Sequence, residues 1–404
     1  MNLIPESIRK FRAMRDATLR EFAQTWHEEY EAKARESGSP DGRGIELVQR
    51  ISDQPVSVRP RGVGFWRAAM EFFGRGNEAL AAAEVPNLLG TSMLKEIAEQ
   101  MVSWEPVALQ FMDVDETSKL ETDAPRPMLS QLPNLVEVPS GAPPPKAPLS
   151  ESNINVQVAV NKLAVEIMPK TLINDDKGVF SGLMDRLLLT CRTSLDKAAA
   201  LQMQTPGNSG EDSEAFFSAN SHLNTGTTAL TLNDTGANTT LMAGWLAMVQ
   251  QCDNSASITG GVRTGGKILG LRPKFLVTAP TLYPKAKALC THEEVQNDAL
   301  TAKVENQFAG LGITPLMFDY YPDTTDWFLL ADPSNCPAFK IVFLNGRTLP
   351  TIRSGWNAAG VVLTNFLRDD GTPLYPLHVE VDFPFKVNTF DFRGIYGGIV
   401  TGGT

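Results

Sequence analysis

The chain has 404 residues, 42% hydrophobic and 20% charged, with 32 glycines and 27 prolines. That length allows two to four domains with real cores, and the composition excludes stapled miniproteins, collagen-like chains and low-complexity disorder. Thirty-six basic against 46 acidic residues give a net charge of −10, the wrong balance for a dedicated duplex nucleic-acid binder.

From Pro5 to about Glu36, Ile8, Phe11, Leu19, Phe22, Trp26 and Tyr30 recur at steps of three to four residues or their multiples, with charge between them. That spacing predicts one amphipathic helix. Ser37 to Arg43 (SGSPDGR) ends it, and the stretch to about Pro86 reads as an extended arm with a helical piece near 65–73. Residues 1–75 hold 13 basic and 11 acidic side chains, so the acidity belongs to the rest of the chain. Five arginines between Arg50 and Arg75 suit a solvated face or contact with phosphate or an acidic neighbour. A helix followed by an arm has little of its own to pack against. Ile8, Phe11, Phe22 and Trp26 are therefore expected to contact a neighbouring subunit.

A short helix is predicted from Leu88 to about Val102, and the alternation Val107, Leu109, Phe111 predicts a strand. Residues 121–152 then hold eight prolines, ending PSGAPPPKAPLSES. Such a run stays extended and cannot enter a sheet interior. Ile154, Val156, Val158 and Val160 alternate with polar residues and predict a half-exposed strand. Strand, proline-rich excursion and strand together describe a protruding two-stranded arm, far longer than a hairpin connection needs.

Leu172-Ile173-Asn174-Asp175-Asp176 next offers capping side chains to a helix, and Phe180, Leu183, Leu187, Cys191, Leu195 and Ala198 carry its apolar stripe to about Gln204. Pro206-Gly207 stops it. A second amphipathic helix runs through Leu241, Trp245, Val249 and Cys252. Lys274 to Thr278 reads as a buried strand feeding a helix at 282–290, and strands are predicted at 327–330, 339–344 and 379–387. Short helices between strands make the fold class α+β.

No chemical motif along the chain is complete. Gly261 to Lys267 resembles a phosphate-binding loop, but Ile268 stands where a magnesium-binding hydroxyl belongs. His292-Glu293-Glu294-Val295-Gln296 starts like a zinc-protease helix, with Gln296 replacing the second histidine, so a solvated helix end is expected. Asp369-Asp370 fits a turn and Asp175-Asp176 a helix cap. Cys191, Cys252, Cys290 and Cys336 lack metal-ligand spacing and read as reduced, buried thiols. No apolar run, including that at 242–249, approaches the roughly 18 residues of a membrane span. The expectation is a soluble, unexported protein with no catalytic residue, cofactor or metal.

Several strings stand out in order: Leu172 to Asp176 opening a long helix, Phe216-Phe217-Ser218-Ala219-Asn220-Ser221-His222-Leu223-Asn224, and Pro273 to Pro280 leading into a helix. Trp327 to Pro333 with Phe339-Lys340-Ile341, and Asp391-Phe392-Arg393-Gly394, follow. Together they resemble the major capsid proteins of tailed bacteriophages, the Hong Kong 97 fold, and within them the Mu-like major head subunit group.

The resemblance, over about 88–400, implies a partition of the chain. Residues 1–87 would be the N-terminal helix and arm, 88–120 the start of a peripheral domain, and 121–152 an extended loop over a neighbouring subunit. The peripheral domain would continue over 153–257 with a spine helix at 175–204. Residues 258–374 would form an axial domain, and 375–404 the return strand and C-terminus. The implied function is self-assembly, as pentamers and hexamers, into an icosahedral head enclosing double-stranded DNA without sequence-specific binding. Scaffold, portal and decoration proteins would be partners, no membrane would be involved, and assembly would take place in the host bacterial cytoplasm. Some relatives crosslink a loop lysine, for which Lys146 is the one candidate. The alternatives are an encapsulin-type compartment around a protein cargo and a cytosolic enzyme using the Gly261 to Lys267 loop.

Overall fold

The computed structural model describes residues 5–18, 104–129, 151–167, 183–230, 240–253, 257–259, 262–264, 266–296, 303–306, 308–355 and 377–400. Helix α1 covers 6–18. After a 3-10 helix at Val107–Gln110 come β1 (Asp113–Thr117), β2 (Ala124–Leu129), β3 (Glu151–Val156) and β4 (Val160–Ile167). Helix α2 (Leu183–Gln204), β5 (Thr225–Gly226), α3 (Thr240–Val249), β6 (Ser257–Thr259) and β7 (Val262–Thr264) follow. Then come β8 (Pro273–Thr278), α4 (Tyr283–Thr291), β9 (Glu294–Gln296), β10 (Lys303–Glu305), β11 (Thr314–Met317) and β12 (Trp327–Ala331). The last strands are β13 (Phe339–Leu344), β14 (Thr351–Gly355), β15 (Leu377–Thr389) and β16 (Ile395–Gly398). The fold is α+β.

Two five-stranded sheets organise these elements. In the first, β15 is the axis: β4 runs antiparallel to it from Leu377 to Pro384, β14 pairs with 378–382, β13 with 385–389, and β1 lies parallel to β13. The alternation Val379, Val381, Phe383, Phe385, Val387 puts these five residues of β15 into the core. Pro384 falls between the stretches that β13 and β14 occupy, so its missing N–H leaves no gap in either ladder. The second sheet has the order β11-β8-β12-β16-β5.

β12 is buried along its whole length, as a continuous apolar run WFLLA between two neighbours should be. Its side chains divide by period two. Phe328 and Leu330, with Phe275 and Val277 of β8, face the main core. That core also holds Leu195, Ala199 and Met203 of α2 and Phe339, Ile341 and Phe343 of β13. Trp327, Leu329 and Ala331, with Leu276, face a second core under Leu241 and Met248 of α3 and Ala286 and Leu289 of α4. Gly244 lets α3 lie on the strand below, because a Cβ there would come within 2.7 Å of the Tyr396 ring.

The elements depart from the sequence expectations in several places. Residues 107–110 form a 3-10 helix, not a strand, and β1 begins at Asp113. Ala108, Leu109, Phe111 and Met112 are all buried, so no exposed face alternates with a covered one, and Asp196 accepts a hydrogen bond from the Ala108 N–H at 3.2 Å. The strand expected over 154–160 is two strands, broken where Asn388 bonds the backbone N–H and C=O of Gln157. Helix α4 ends at Thr291, and Glu294–Gln296 is a strand rather than a helix end. β13 and β14, both inside 258–374, pair with β15 of 375–404. The expected helical pieces at 65–73 and 88–102, the helix beyond residue 18, and residues 175–182 of the spine helix lie outside the described residues.

Candidate functional site

Three assemblies of side chains join distant segments. The first is the root of the two-stranded arm. β2 and β3 pair antiparallel, Ala124 with Val156 through Leu129 with Glu151. Pro125 and Pro127 share one parity and oppose exposed Asn155 and Asn153. Both rings can therefore sit where the N–H points away from the partner strand. On the other face Ala124, Ile154 and Val156 are buried with Val342 and Phe390, so the hairpin stands on the first sheet opposite the main core. Arg126 fixes it, with Nε donating to Asp115 Oδ2 at 2.6 Å and Nη2 to Asp115 Oδ1 at 3.2 Å. Burial pushes the Asp115 carboxyl up, but Arg126, Lys340 and the Glu116 N–H outweigh it and hold it below the ordinary carboxylate range. Lys386 donates to Gln157 Oε1 at 2.8 Å, and Gln157 in turn donates to Asp123 at 2.5 Å.

The second is a buried clamp around Arg393. Its guanidinium forms a two-pronged pair with Glu211, at 2.8 and 3.0 Å, and also donates to Asp391 at 3.0 Å and to the Cys252 carbonyl at 3.1 Å. Cys336 donates its thiol to Asp391 at 3.3 Å. Burial opposes the charge on Arg393, but Asp391 and Glu211 more than restore it, and its pKa is raised. Phe392 stacks on the His222 ring at 3.7 Å, while His222 meets the Phe216 carbonyl at 3.0 Å and Asp212 at 2.8 Å. Asn224 donates to the carbonyls of Phe216 and Phe392. The strings 216–224 and 391–394, far apart in sequence, are thus two halves of one clamp.

The third is the seat of α1. Ile8 and Phe11 are buried, Phe11 against Trp104 and Phe343 with ring centroids at 6.2 and 5.9 Å. Ser7 donates to the Leu109 carbonyl, Lys10 pairs with Asp113 at 3.0 Å, and Arg12 pairs with Glu105. Ile8 and Phe11, expected at a neighbouring subunit, are here covered by residues of the same chain, which does supply a seat for them. Phe22, Trp26 and Lys146 lie outside the described residues.

The candidate chemical motifs acquire ordinary roles. Val262–Thr264 pairs with Ser257–Thr259 as a hairpin, and the chain after Lys267 leads to β8 rather than to a helix, so the element a phosphate loop needs after it is replaced by strand. His292 caps the end of α4 and its carbonyl accepts from Asn306 at 2.6 Å. Among the described residues no cluster of His, Cys, Asp or Glu could hold a metal, and no helix is long and apolar enough to cross a membrane. Cys191 and Cys290 are buried thiols whose pKa burial raises to about 11 and about 12, the opposite of an activated nucleophile. Asp175, Asp176, Asp369 and Asp370 lie outside the described residues.

These polar contacts join segments of the chain to one another: a hairpin to a sheet, a helix to its seat, two distant loops to each other. Residues 153–398 match the family described as phage capsid protein, and the chain belongs to that family. It is a structural, non-enzymatic component of a phage capsid.

Solved structures similar to the chain include that of Microbacterium phage Oxtober96, at 12% identity over 74% of this chain and 91% of that one, with a TM-score of 0.42. The bacteriophage JBD30 capsid is similar at 10% identity over 80% and 73%, with a TM-score of 0.38. An encapsulin complex from Synechococcus elongatus is similar at 9% identity over 72% and 86%, with a TM-score of 0.38. No curated protein matches the chain.

Proposed function

We propose that this chain is the major head subunit of a tailed phage of the Mu-like group, with the Hong Kong 97 fold. Copies close rings of five and six and build an icosahedral shell around double-stranded DNA in the bacterial cytoplasm. The observation that carries the reading is the family match over more than half of the chain. The arm rooted at 124–129 and 151–156 supports it, since a rigidly mounted hairpin suits a contact beyond the subunit's own core. The partition into arm, loop, peripheral and axial regions is part of the same reading, as are scaffold, portal and decoration proteins as partners. The mechanism is geometric: heterologous contacts close rings, and arm and loop add contacts whose small gains multiply over the shell. A net charge of −10 suits a container that must not bind its DNA tightly.

Particles assembled from the purified chain and imaged by negative-stain microscopy test this directly. Closed shells, with DNA inside those taken from virions, are expected. Shells that enclose a protein cargo and no nucleic acid would instead support the encapsulin-type reading.

A further inference from the structure

Helix α3 reads TLMAGWLAMV and has no ionisable side chain. Leu241, Gly244 and Met248 are buried against the second sheet, over Tyr396 of β16 and Leu329 of β12. At about 3.6 residues per turn, Ala243 and Leu246 fall on the opposite side of the helix, and both are exposed. Ile268, exposed as well, extends this face, because its segment bonds the chain just after α3: the Leu269 N–H donates to the Gln251 carbonyl at 2.8 Å. A helix that is apolar all round is covered on both sides in a finished protein. We infer, on the shell reading above, that the outer face of α3 is a ring contact: it seats on the edge strand β11 of the next copy of this chain.

Three features select that occupant. The first is charge. Copies that each carry −10 repel one another, and the centre of a protein–protein contact is poor in charge. β11 (TPLM) has no ionisable residue either, so α3 and β11 meet without bringing like charges together. The second is the open edge. Among the described residues β11 pairs only with β8, and Met317 and nearby Leu311 are exposed; an apolar helix laid along such an edge covers it. The third is placement. α3 lies chiefly over β16, towards the end of the second sheet away from β11, so one copy offers the two surfaces to two different neighbours, as a heterologous contact requires. The exposed side of α3 faces away from the plane of the sheet, whereas the edge of β11 faces along it. Contacts set at an angle turn each copy relative to the last, so a row of copies closes into a ring rather than running straight.

Thiols placed at Leu246 and Met317 test the pairing. Of the native cysteines, Cys191, Cys290 and Cys336 are buried, so Cys252→Ser removes the accessible one. In that background, particles of the Leu246→Cys/Met317→Cys variant would be treated with a short bis-maleimide and run on a denaturing gel. A ladder of joined chains ending at five and six is expected, and neither single variant should give one. Intact particles without a ladder would overturn the inference, and so would joined pairs from Leu246→Cys alone, since α3 would then meet α3. Leu246→Glu gives a second reading, because it changes an exposed side chain: the thermal midpoint of the unassembled subunit should stay within a few degrees. The concentration needed for assembly should rise about tenfold or more, because a charge is now buried in an apolar contact. Unchanged assembly of Leu246→Glu would contradict the contact, and this variant also decides the case in which the cysteine pair itself blocks assembly. If the unsubstituted chain forms no particles, the shell reading fails instead.

Discussion

Single residues decide the two polar interiors of the subunit. Arg393 neutralises Glu211 and Asp391, and its side chain is only 5% exposed. Arg393→Ala leaves both carboxylates without their cation, and a broken buried pair costs roughly 3–5 kcal/mol; urea unfolding of the unassembled variant should show that loss. The double variant with Glu211→Ala should lose less than the sum of the two single variants, since one pair is removed in all three. Asp196 presents the opposite case. Burial pushes its carboxyl up to about 6 from 3.8, the Ala108 and Val107 N–H groups offset part of this, and Asp319 adds to the rise. The folded state thus binds a proton more tightly than the unfolded one. That contribution is complete below about pH 4 and is lost as pH rises through about 6, a difference of roughly 3 kcal/mol by neutral pH. Asp196→Asn keeps an oxygen for the Ala108 N–H without the charge. Its urea midpoint at pH 7 should exceed that of the parent by the equivalent of about 1–3 kcal/mol, with the gap closing by pH 4. A constant gap across that range would contradict the assignment. Arg393 stood out in sequence only as part of the string 391–394, without its partners, and Asp196 not at all. Asp196 is one polar position on a helix, and Arg393 gains its role from Glu211 and Cys252, which only the fold brings to it.

At the scale of elements, sequence spoke clearly where one periodicity met one environment. β8, β12, β13 and β15 lie where alternation or continuous apolar runs put them, and α4 follows β8 as its stripe required. It failed at 107–112, where burial on all sides mimics a strand's apolar content. Pairing partners were hidden too: nothing in residues 339–344 announces β15 as the neighbour rather than the sheet of β8 and β12. The proline-rich excursion announced a paired element, but the strands that pair are 124–129 and 151–156 rather than those expected around 107–111 and 154–160, and residues 130–150 lie outside the described residues. Alternate prolines leave one edge of β2 able to pair, which the proline count alone conceals. Because the root is fixed by Arg126 and by burial on Val342 and Phe390, residues 130–150 are separable from it. Replacing them with a two-residue Asn-Gly turn, which closes an antiparallel pair, should leave the subunit's thermal midpoint within a few degrees and abolish stable shells. Normal shells from that variant would show that the tip contributes nothing to assembly.

For the whole molecule, the design is two sheets that share one core, a second core under α3 and α4, and appendages mounted on the outside. The central strand β12 serves both cores, so damage there propagates to each. Large apolar side chains remain on the surface of this subunit, including Leu189 and Leu201 of α2 at 60% and 61% exposure and Ile268 at 63%, as suits a protein that completes its burial by association. The central claim is that the 44.0 kDa chain exists to build a closed shell. Negative-stain imaging of the purified protein under assembly conditions, with light scattering beside it, tests this most directly. The account predicts megadalton particles with fivefold and sixfold clusters of subunits; a strictly monomeric species under every assembly condition would contradict it.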